Sequence, residues 1–292
     1  MANSEFHREK YPYTWAESVD LLRKDPVHRS LIHDAYLTAD IIDNCNRFAA
    51  SEEFRAVLSI IREQSPHASA ILDIPGGNGI ATFAFAKSGF VVTSVEPDPS
   101  SSVGRGAIET VLKSSALQAS VVDALGENLP FANASFDVVY VRQGLHHAQD
   151  LPAMVAEYFR VLRPNGILLA TREHVVDNYG TSLQTFLDAQ VDHQLYGGEH
   201  AFTLPDYRSA ITRAGFSPVL ELGPYESPIN MHPNTPAILR ERILASGAGR
   251  FMRILLSDDL VERIGKWWLE KSRRPGRLYT FVARKIQTDL SP

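Results

Sequence analysis

The sequence predicts an α/β protein in which helices cover both faces of a doubly wound, mostly parallel sheet of seven strands. Short, continuously apolar runs alternate with helix-length segments along most of the chain. A glycine-rich turn at residues 76–79 joins the first apolar run to the next helix. Polar residues follow the ends of successive runs, as at Glu96, Asp123 and Gln143. In open parallel sheets, ligands bind beyond those strand ends.

The glycine-rich turn follows a strand predicted at residues 71–74, which Pro75 and Gly76 end. Gly77 and Gly79 can adopt positive φ, so a ligand can approach the bare backbone and the N-terminus of a helix over residues 80–87. The second strand ends at Glu96. A carboxylate at that position can accept hydrogen bonds from both hydroxyls of a ribose.

A glycine-rich turn of this kind can serve several ligands, and the spacing decides between them. The dinucleotide pattern G-x-G-x-x-G requires a third glycine, but Thr82 stands at that position. The G-K-[ST] sequence of a phosphate-binding loop is also missing. The spacing therefore favours a small ligand with few phosphates or none.

The rest of the chain completes the alternation. The remaining strands are predicted at residues 119–122, 136–141, 167–171, 217–222 and 277–284. Helices are predicted at residues 16–22, 26–44, 104–115 and 151–162, after Ser51, after Thr203 and from Ser257. We expect four regions: an N-terminal helical addition that is a candidate lid (1–50), a core (51–225), a helical insertion (226–275), and the last strand with a tail (276–292).

Composition limits the classes of function. The chain has 292 residues, of which 44% are hydrophobic and 22% charged, as in ordinary soluble proteins. Its formal net charge of −5 gives no general attraction to nucleic acid or anionic membranes. Cys45 is the only cysteine, and no apolar run reaches the roughly 18 residues that span a bilayer. We expect a cytoplasmic protein with a small-molecule substrate and no nucleic-acid or membrane partner; a homodimer is compatible with the sequence.

Two stretches resemble class I S-adenosylmethionine-dependent methyltransferases. Residues 73–79, DIPGGNG, resemble the D-x-G-x-G-x-G turn of that family, with Pro75 in place of its first glycine. Residues 121–150, VVDALGENLPFANASFDVVYVRQGLHHAQD, resemble its D-A-x-x-L-P-F, S-F-D and L-H-H pattern. The resemblance covers about residues 68–172 and implies a Rossmann-like fold with S-adenosylmethionine as cofactor.

The resemblance also implies particular contacts with the cofactor. It assigns the ribose hydroxyls to Glu96, the adenine ring to Asp123 and Ala124, and the methionine part to the segment 142–146. The full set of expected cofactor contacts is Asp73, Pro75, Gly76, Gly77, Asn78, Gly79, Glu96, Pro97, Asp123, Ala124, Arg142, Gln143 and His146.

The acceptor side is less specified by sequence. His147 and His174 follow predicted strands and are candidate catalytic bases, because histidine titrates near neutrality; each could equally have a structural role. Candidate substrate contacts are Arg172, Tyr196 and His200; Arg172 could instead pair with Glu173. No metal is expected, since His193, Glu199 and His200 lack a regular ligand spacing.

Two classes of function follow from these residues. The leading hypothesis is a methyltransferase that acts on oxygen, nitrogen or carbon of a small molecule. The alternative is a regulatory protein that binds S-adenosylmethionine or its demethylated product without catalysis. A nicotinamide-dependent oxidoreductase is disfavoured by Thr82.

Overall fold

The structure is a computed structural model of the 292-residue chain. It describes residues 10–235 and 275–286, together with the separate positions 238, 241, 245, 257, 259, 260, 263 and 267. Most of the predicted insertion, including the stretch after Ser257, lies outside the described residues.

The described strands form one mostly parallel sheet, which confirms the predicted α/β class. They are β1 (Ala70–Asp73), β2 (Val91–Val95), β3 (Ser120–Val122), β4 (Phe136–Arg142), β5 (Leu162–Val176), β6 (Phe202–Thr203), β7 (Phe216–Leu222) and β8 (Arg277–Lys285). The order across the sheet is β3-β2-β1-β4-β5-β8-β7, with β6 paired to β5. Among these pairings, the two that β8 makes with β5 and β7 are antiparallel and the others are parallel. The order reverses at β1, so the carboxyl ends of β1 and β4 flank the crevice where ligands bind in such sheets.

Helices lie before the sheet and between its strands. The N-terminal region contains α1 (Trp15–Lys24), α2 (Arg29–Asp34), α3 (Ile41–Ala50) and α4 (Glu52–Gln64). The crossovers and loops contain α5 (Ile80–Lys87), α6 (Arg105–Ser115), α7 (Leu151–Val161), α8 (Thr181–Ala189), α9 (Val191–Tyr196), α10 (Leu204–Arg213) and α11 (Pro228–Met231). Side chains at the helix starts satisfy exposed N–H groups: Ser51 accepts from Phe54, and Asp150 accepts from Ala153.

Two predicted details of the sheet were wrong. The sequence predicts seven strands, whereas the described residues contain eight, because the two-residue strand β6 pairs with the far end of β5. Strand β5 is also longer than residues 167–171, since it begins at Leu162 and passes an irregularity in its pairing with β4. A two-residue strand carries no periodic pattern of its own.

The predicted helix over residues 26–44 is also interrupted. A short 3-10 turn (Pro26–His28) leads into α2, which stops before Tyr36. Tyr36 has a φ of +58° and Asp40 caps the next helix, α3, by accepting from the Asp43 N–H. The chain therefore turns between α2 and α3, and this turn brings Tyr36 against the core.

Apolar side chains fill both faces of the sheet. One cluster packs α7 and α10 against β4, β5 and β8, with Tyr158 and Tyr207 buried in it. The other packs α3, α4 and α5 against the opposite face and includes Phe48, Phe85 and Tyr140. The N-terminal helix α3 therefore shares a hydrophobic core with the sheet. No helix within the described ranges combines the length and apolar character that crossing a bilayer requires.

Candidate cofactor and acceptor site

The turn after β1 presents bare backbone at the carboxyl edge of the sheet. Gly77 has a φ of +53°, and a Cβ placed on it would meet no atom within 4 Å. Gly79, with a φ of +88°, is the N-cap residue directly before helix α5. Positive φ at both positions suits glycine. The turn therefore leaves space in front of Gly77 for a ligand.

Glu96 stands beside this turn at the end of β2. One of its carboxylate oxygens accepts from the Gly77 N–H at 2.7 Å and the other from the Asp98 N–H at 2.9 Å. Burial raises the pKa of Glu96 to about 7, although these two N–H groups act to lower it. A carboxylate offers about four acceptor sites, so both oxygens can accept a further hydroxyl.

Asp73, at the end of β1, has one carboxylate oxygen without a partner. Its other oxygen accepts from the Thr82 hydroxyl at 2.6 Å, whereas Oδ1 is buried and has no hydrogen-bond partner among the described residues. Burial raises the pKa of Asp73 to about 7, against the effect of the Thr82 hydroxyl. Two acceptor groups, Asp73 and Glu96, therefore flank the open turn. These acceptor groups fit a ligand with ribose hydroxyls and positive charge, as S-adenosylmethionine has.

Arg105 organises the neighbouring ends of β2 and β3. Its guanidinium donates to the carbonyl oxygens of Glu96 and Pro97 and lies 3.0 Å from an Asp123 carboxylate oxygen. Asp123 is exposed and Ala124 is partly buried. The residues predicted to contact the ribose and the adenine therefore lie along one edge of the sheet. Their contacts with the cofactor stay a prediction.

Several other predicted cofactor residues use their side chains within the protein. Asn78 donates to the Tyr36 carbonyl at 2.7 Å, and a Cβ at Gly76 would collide with the Ser94 hydroxyl. Arg142 pairs with Glu53, and the Gln143 side chain accepts from the Arg142 guanidinium. Side-chain contacts from Asn78 and Arg142 to the cofactor are therefore not supported by this arrangement. Pro75 lies against the backbone of Gly144, which follows β4.

The Glu53–Arg142 pair is an ion pair between α4 and β4, in which Glu53 is buried and Arg142 is largely shielded from solvent. Two guanidinium nitrogens of Arg142 lie 2.7 and 3.2 Å from the two Glu53 oxygens. Arg172 lies 3.9 Å from Glu53 and donates to the carbonyl oxygens of Ile229 and His232, not to Glu173. Its burial does not support the predicted contact with substrate. A cavity of about 220 Å³ opens beside Glu53.

His146 lies at the centre of a buried polar cluster after β4. Its Nδ1 is 2.8 Å from the Glu173 carboxylate, which also accepts the backbone N–H groups of Gly144, Leu145 and His146. Burial and the neighbouring rings of His147 and His174 hold the pKa of His146 well below its usual range. Glu173 thus fixes the turn that carries the histidine pair.

The loop after α9 brings further predicted residues to this cluster. Glu199 accepts from the Tyr196 hydroxyl at 2.5 Å and lies 3.7 Å from Nε2 of His146. His147 is exposed, and its Nδ1 lies 3.0 Å from the Gly198 carbonyl. His200 packs its ring against Phe202 instead, with centroids 4.7 Å apart. Tyr196 is therefore held by Glu199, and His147 faces outward beside it.

The two predicted bases occupy different environments. Nδ1 of His174 lies 3.0 Å from the carbonyl oxygen of Gly276, and the His174 ring packs against His146 and Phe186. Burial lowers the pKa of His174. Of the two, the exposed His147 is better placed to meet an acceptor, but a catalytic role for either stays a prediction.

Sequence reasoning missed the central roles of Glu53 and Glu173. Glu53 is in the first turn of α4, where an acid is expected to face solvent and to interact favourably with the helix dipole. Glu173 follows the strand predicted at residues 167–171 and lies within the longer β5 of the structure, and a charge at that position did signal a need for partners. The partners of both residues lie far away in sequence, which no local pattern reveals.

The chain is similar to known methyltransferases. The sequence profile of a family described as "Methyltransferase domain" matches residues 72–170, the segment from β1 to the middle of β5. An uncharacterized methyltransferase, sll0829 of Synechocystis sp., is 31% identical over 155 residues, which are 51% of this chain and 67% of the relative.

Two further proteins extend the comparison. The ubiquinone/menaquinone biosynthesis C-methyltransferase UbiE of Dinoroseobacter shibae is 34% identical over 116 residues; these are 39% of this chain and less than half, 46%, of the relative. The structure of a geranyl diphosphate methyltransferase in complex with S-adenosylmethionine has a TM-score of 0.56 at 14% identity, covering 91% of this chain and 95% of that chain. The latter likeness shows the fold. The chain belongs to the class I S-adenosylmethionine-dependent methyltransferases.

Proposed function

We propose that the protein transfers the methyl group of S-adenosylmethionine to oxygen, nitrogen or carbon of a small molecule. The single observation that carries the proposal is the pair of acidic residues, Asp73 and Glu96, beside the open turn at Gly77. An orphaned buried oxygen on one acid and spare acceptor sites on the other suit a cationic nucleoside. The family of the chain supports the same ligand.

The residues at the edge would divide the binding task. Glu96 would accept from the ribose hydroxyls, and the backbone of Gly77 would allow the ligand to lie against the turn. Asp123 and Ala124, held near Glu96 through Arg105, would contact the adenine. The cofactor, when bound, supplies a methyl group already activated on a sulfonium. The main demands on the chain are to orient an acceptor and to exclude water.

The acceptor would approach from the side of His147 and the loop that contains Tyr196 and Glu199. His147 is exposed there, while His146 is buried and Glu199 is partly buried. A covering role for the N-terminal region on this side is supported by the Trp15 ring, which packs on Tyr196 with centroids 5.0 Å apart. We propose residues 1–50 as the covering element over the acceptor and residues 51–225 as the catalytic core.

A turnover experiment separates catalysis from mere binding. The protein is incubated with S-adenosylmethionine that carries a labelled methyl group, with and without a small-molecule extract of cells. We expect label in an extracted compound and matching formation of S-adenosylhomocysteine when both extract and protein are present. Cofactor binding in calorimetry without any label transfer would contradict the methyltransferase and favour the non-catalytic binding protein.

A further inference from the structure

We propose that His146, His147 and Glu199 form a binding site for a divalent transition-metal ion on the acceptor side of the pocket. One donor atom from each residue lies within 4.8 Å of the other two. Metal–ligand bonds of about 2.0–2.2 Å place neighbouring donors about 3–3.5 Å apart. Binding therefore requires the most distant donors to approach by no more than about 1.3–1.8 Å, which side-chain rotation can supply.

The first argument for the site is the orientation of the two imidazoles. Nδ1 of His146 lies 2.8 Å from the Glu173 carboxylate, and Nδ1 of His147 lies 3.0 Å from the Gly198 carbonyl. Both partners are acceptors, so Nδ1 carries the ring proton in each histidine. The lone pair on Nε2 is then available to bind a metal ion. Histidines that bind metals are held in this way by a carboxylate or a carbonyl on the other ring nitrogen.

The carboxylate ligand is oriented in the same manner. The Tyr196 hydroxyl donates to one oxygen of Glu199, and the other oxygen faces Nε2 of His146 at 3.7 Å. That separation is too long for a hydrogen bond. The two groups therefore face each other across a gap without bonding, as two ligands of one ion would.

The loop is built to place Glu199 at this position. Gly197 ends α9 with a φ of +73°, and a Cβ at that residue would collide with the ring of Tyr11. A Cβ at Gly198 would collide with the ring of Tyr196. The two glycines allow the chain to fold back so that Glu199 reaches His146.

Charge gives a separate argument. Glu173, with a fully buried side chain, and Glu199, with a side chain only 9% exposed, face the two ring nitrogens of His146, and neither lies within 4.0 Å of a lysine or arginine in the described part of the chain. Buried carboxylates require hydrogen bonds and a compensating charge. A divalent cation between Nε2 of His146 and Glu199 would supply that charge.

The donor set indicates which ions would bind. Two histidines and one glutamate hold Zn²⁺ in one class of catalytic sites and Fe²⁺ in another, and both classes leave coordination positions open. Because His147 is exposed, those positions would be accessible to an oxygen or nitrogen atom of a small molecule. The inference goes beyond methyl transfer and does not depend on it.

Metal titration tests the site directly. The protein, without a histidine tag and after treatment with a chelator, is titrated with ZnCl₂ in calorimetry and with CoCl₂ in absorbance. Anaerobic titration with Fe²⁺ then distinguishes the two ions. His147→Ala and Glu199→Gln remove one ligand each, while His67→Ala removes an exposed histidine from another part of the chain. Thermal unfolding without added metal serves as the folding control.

We expect one saturable ion per chain in the wild type and in His67→Ala, with at least about tenfold weaker binding in both ligand variants. The absence of saturable binding by the wild type, or undiminished affinity in both folded variants, would overturn the site. Calorimetry with S-adenosylmethionine on the same samples reports on the proposed function separately, because the metal measurement requires no cofactor.

Discussion

Replacing Glu53 with alanine is expected to lower the free energy of unfolding by about 3–5 kcal/mol, because it leaves the guanidinium of Arg142, whose side chain is only 12% exposed, without its partner. Arg172, also buried, would lose its nearest carboxylate at the same time. Burial acts to raise the pKa of Glu53, but the guanidinium groups of Arg142 and Arg172 outweigh it and lower the pKa. The carboxylate is therefore ionised at neutral pH, and its removal changes the buried charge.

Chemical denaturation of Glu53→Ala and Glu52→Ala measures this effect. Glu52 is the exposed neighbour in the same helical turn, so its variant controls for the loss of an acid near the helix N-terminus. We expect Glu52→Ala to stay within about 1 kcal/mol of the wild type. An equally small loss in Glu53→Ala would show that the pair contributes little to stability.

Replacing Glu173 with alanine is expected to cost at least about 3 kcal/mol of unfolding free energy. The carboxylate accepts three backbone N–H groups, those of residues 144–146, and lies 2.8 Å from Nδ1 of His146. A buried donor that loses its partner costs about 1–3 kcal/mol. Because several donors are affected together, the turn that carries His146 and His147 should also become disordered.

Glu226→Ala is the matched control for this prediction, since Glu226 is exposed and accepts one backbone N–H, that of Gly223. We expect its cost to stay near about 1 kcal/mol. Glu173→Gln retains one carbonyl oxygen as an acceptor, so its loss of unfolding free energy should lie between those of the two alanine variants. If Glu173→Ala and Glu226→Ala unfold at the same denaturant concentration, the buried acceptor does not hold the turn.

The placement of Gly77 and Glu96 at one edge of the sheet could be predicted because its signals are local. The turn at residues 76–79 and the acid at Glu96 follow adjacent strands, and a parallel sheet brings such ends to one edge. The overall α/β class was predictable for the same reason, since continuous apolar runs mark buried parallel strands. The strands that were missed or shortened, β6 and the ends of β5, have no such run.

The acceptor side could not be predicted in the same way. His146 and Glu199 come from different loops, and their approach depends on how α9 ends at Gly197. From sequence spacing, Glu199 could be considered as a metal ligand only together with its neighbours His193 and His200. Arg142 illustrates the same difficulty, because a charged residue after a strand suggests a ligand contact until the fold supplies Glu53. Tertiary partners of charged side chains are set by packing, not by local pattern.

Calorimetry on Glu96→Ala tests whether S-adenosylmethionine binds at the carboxyl edge of the sheet. At pH 8, above the pKa of about 7 to which burial raises Glu96, its carboxylate is ionised in the wild type. Two hydrogen bonds to a charged group contribute about 3 kcal/mol or more, which is on the order of 100-fold in affinity. We predict that loss for Glu96→Ala and unchanged affinity for the exposed control Glu109→Ala. Equal affinity in both variants, or no binding by the wild type, would contradict the account.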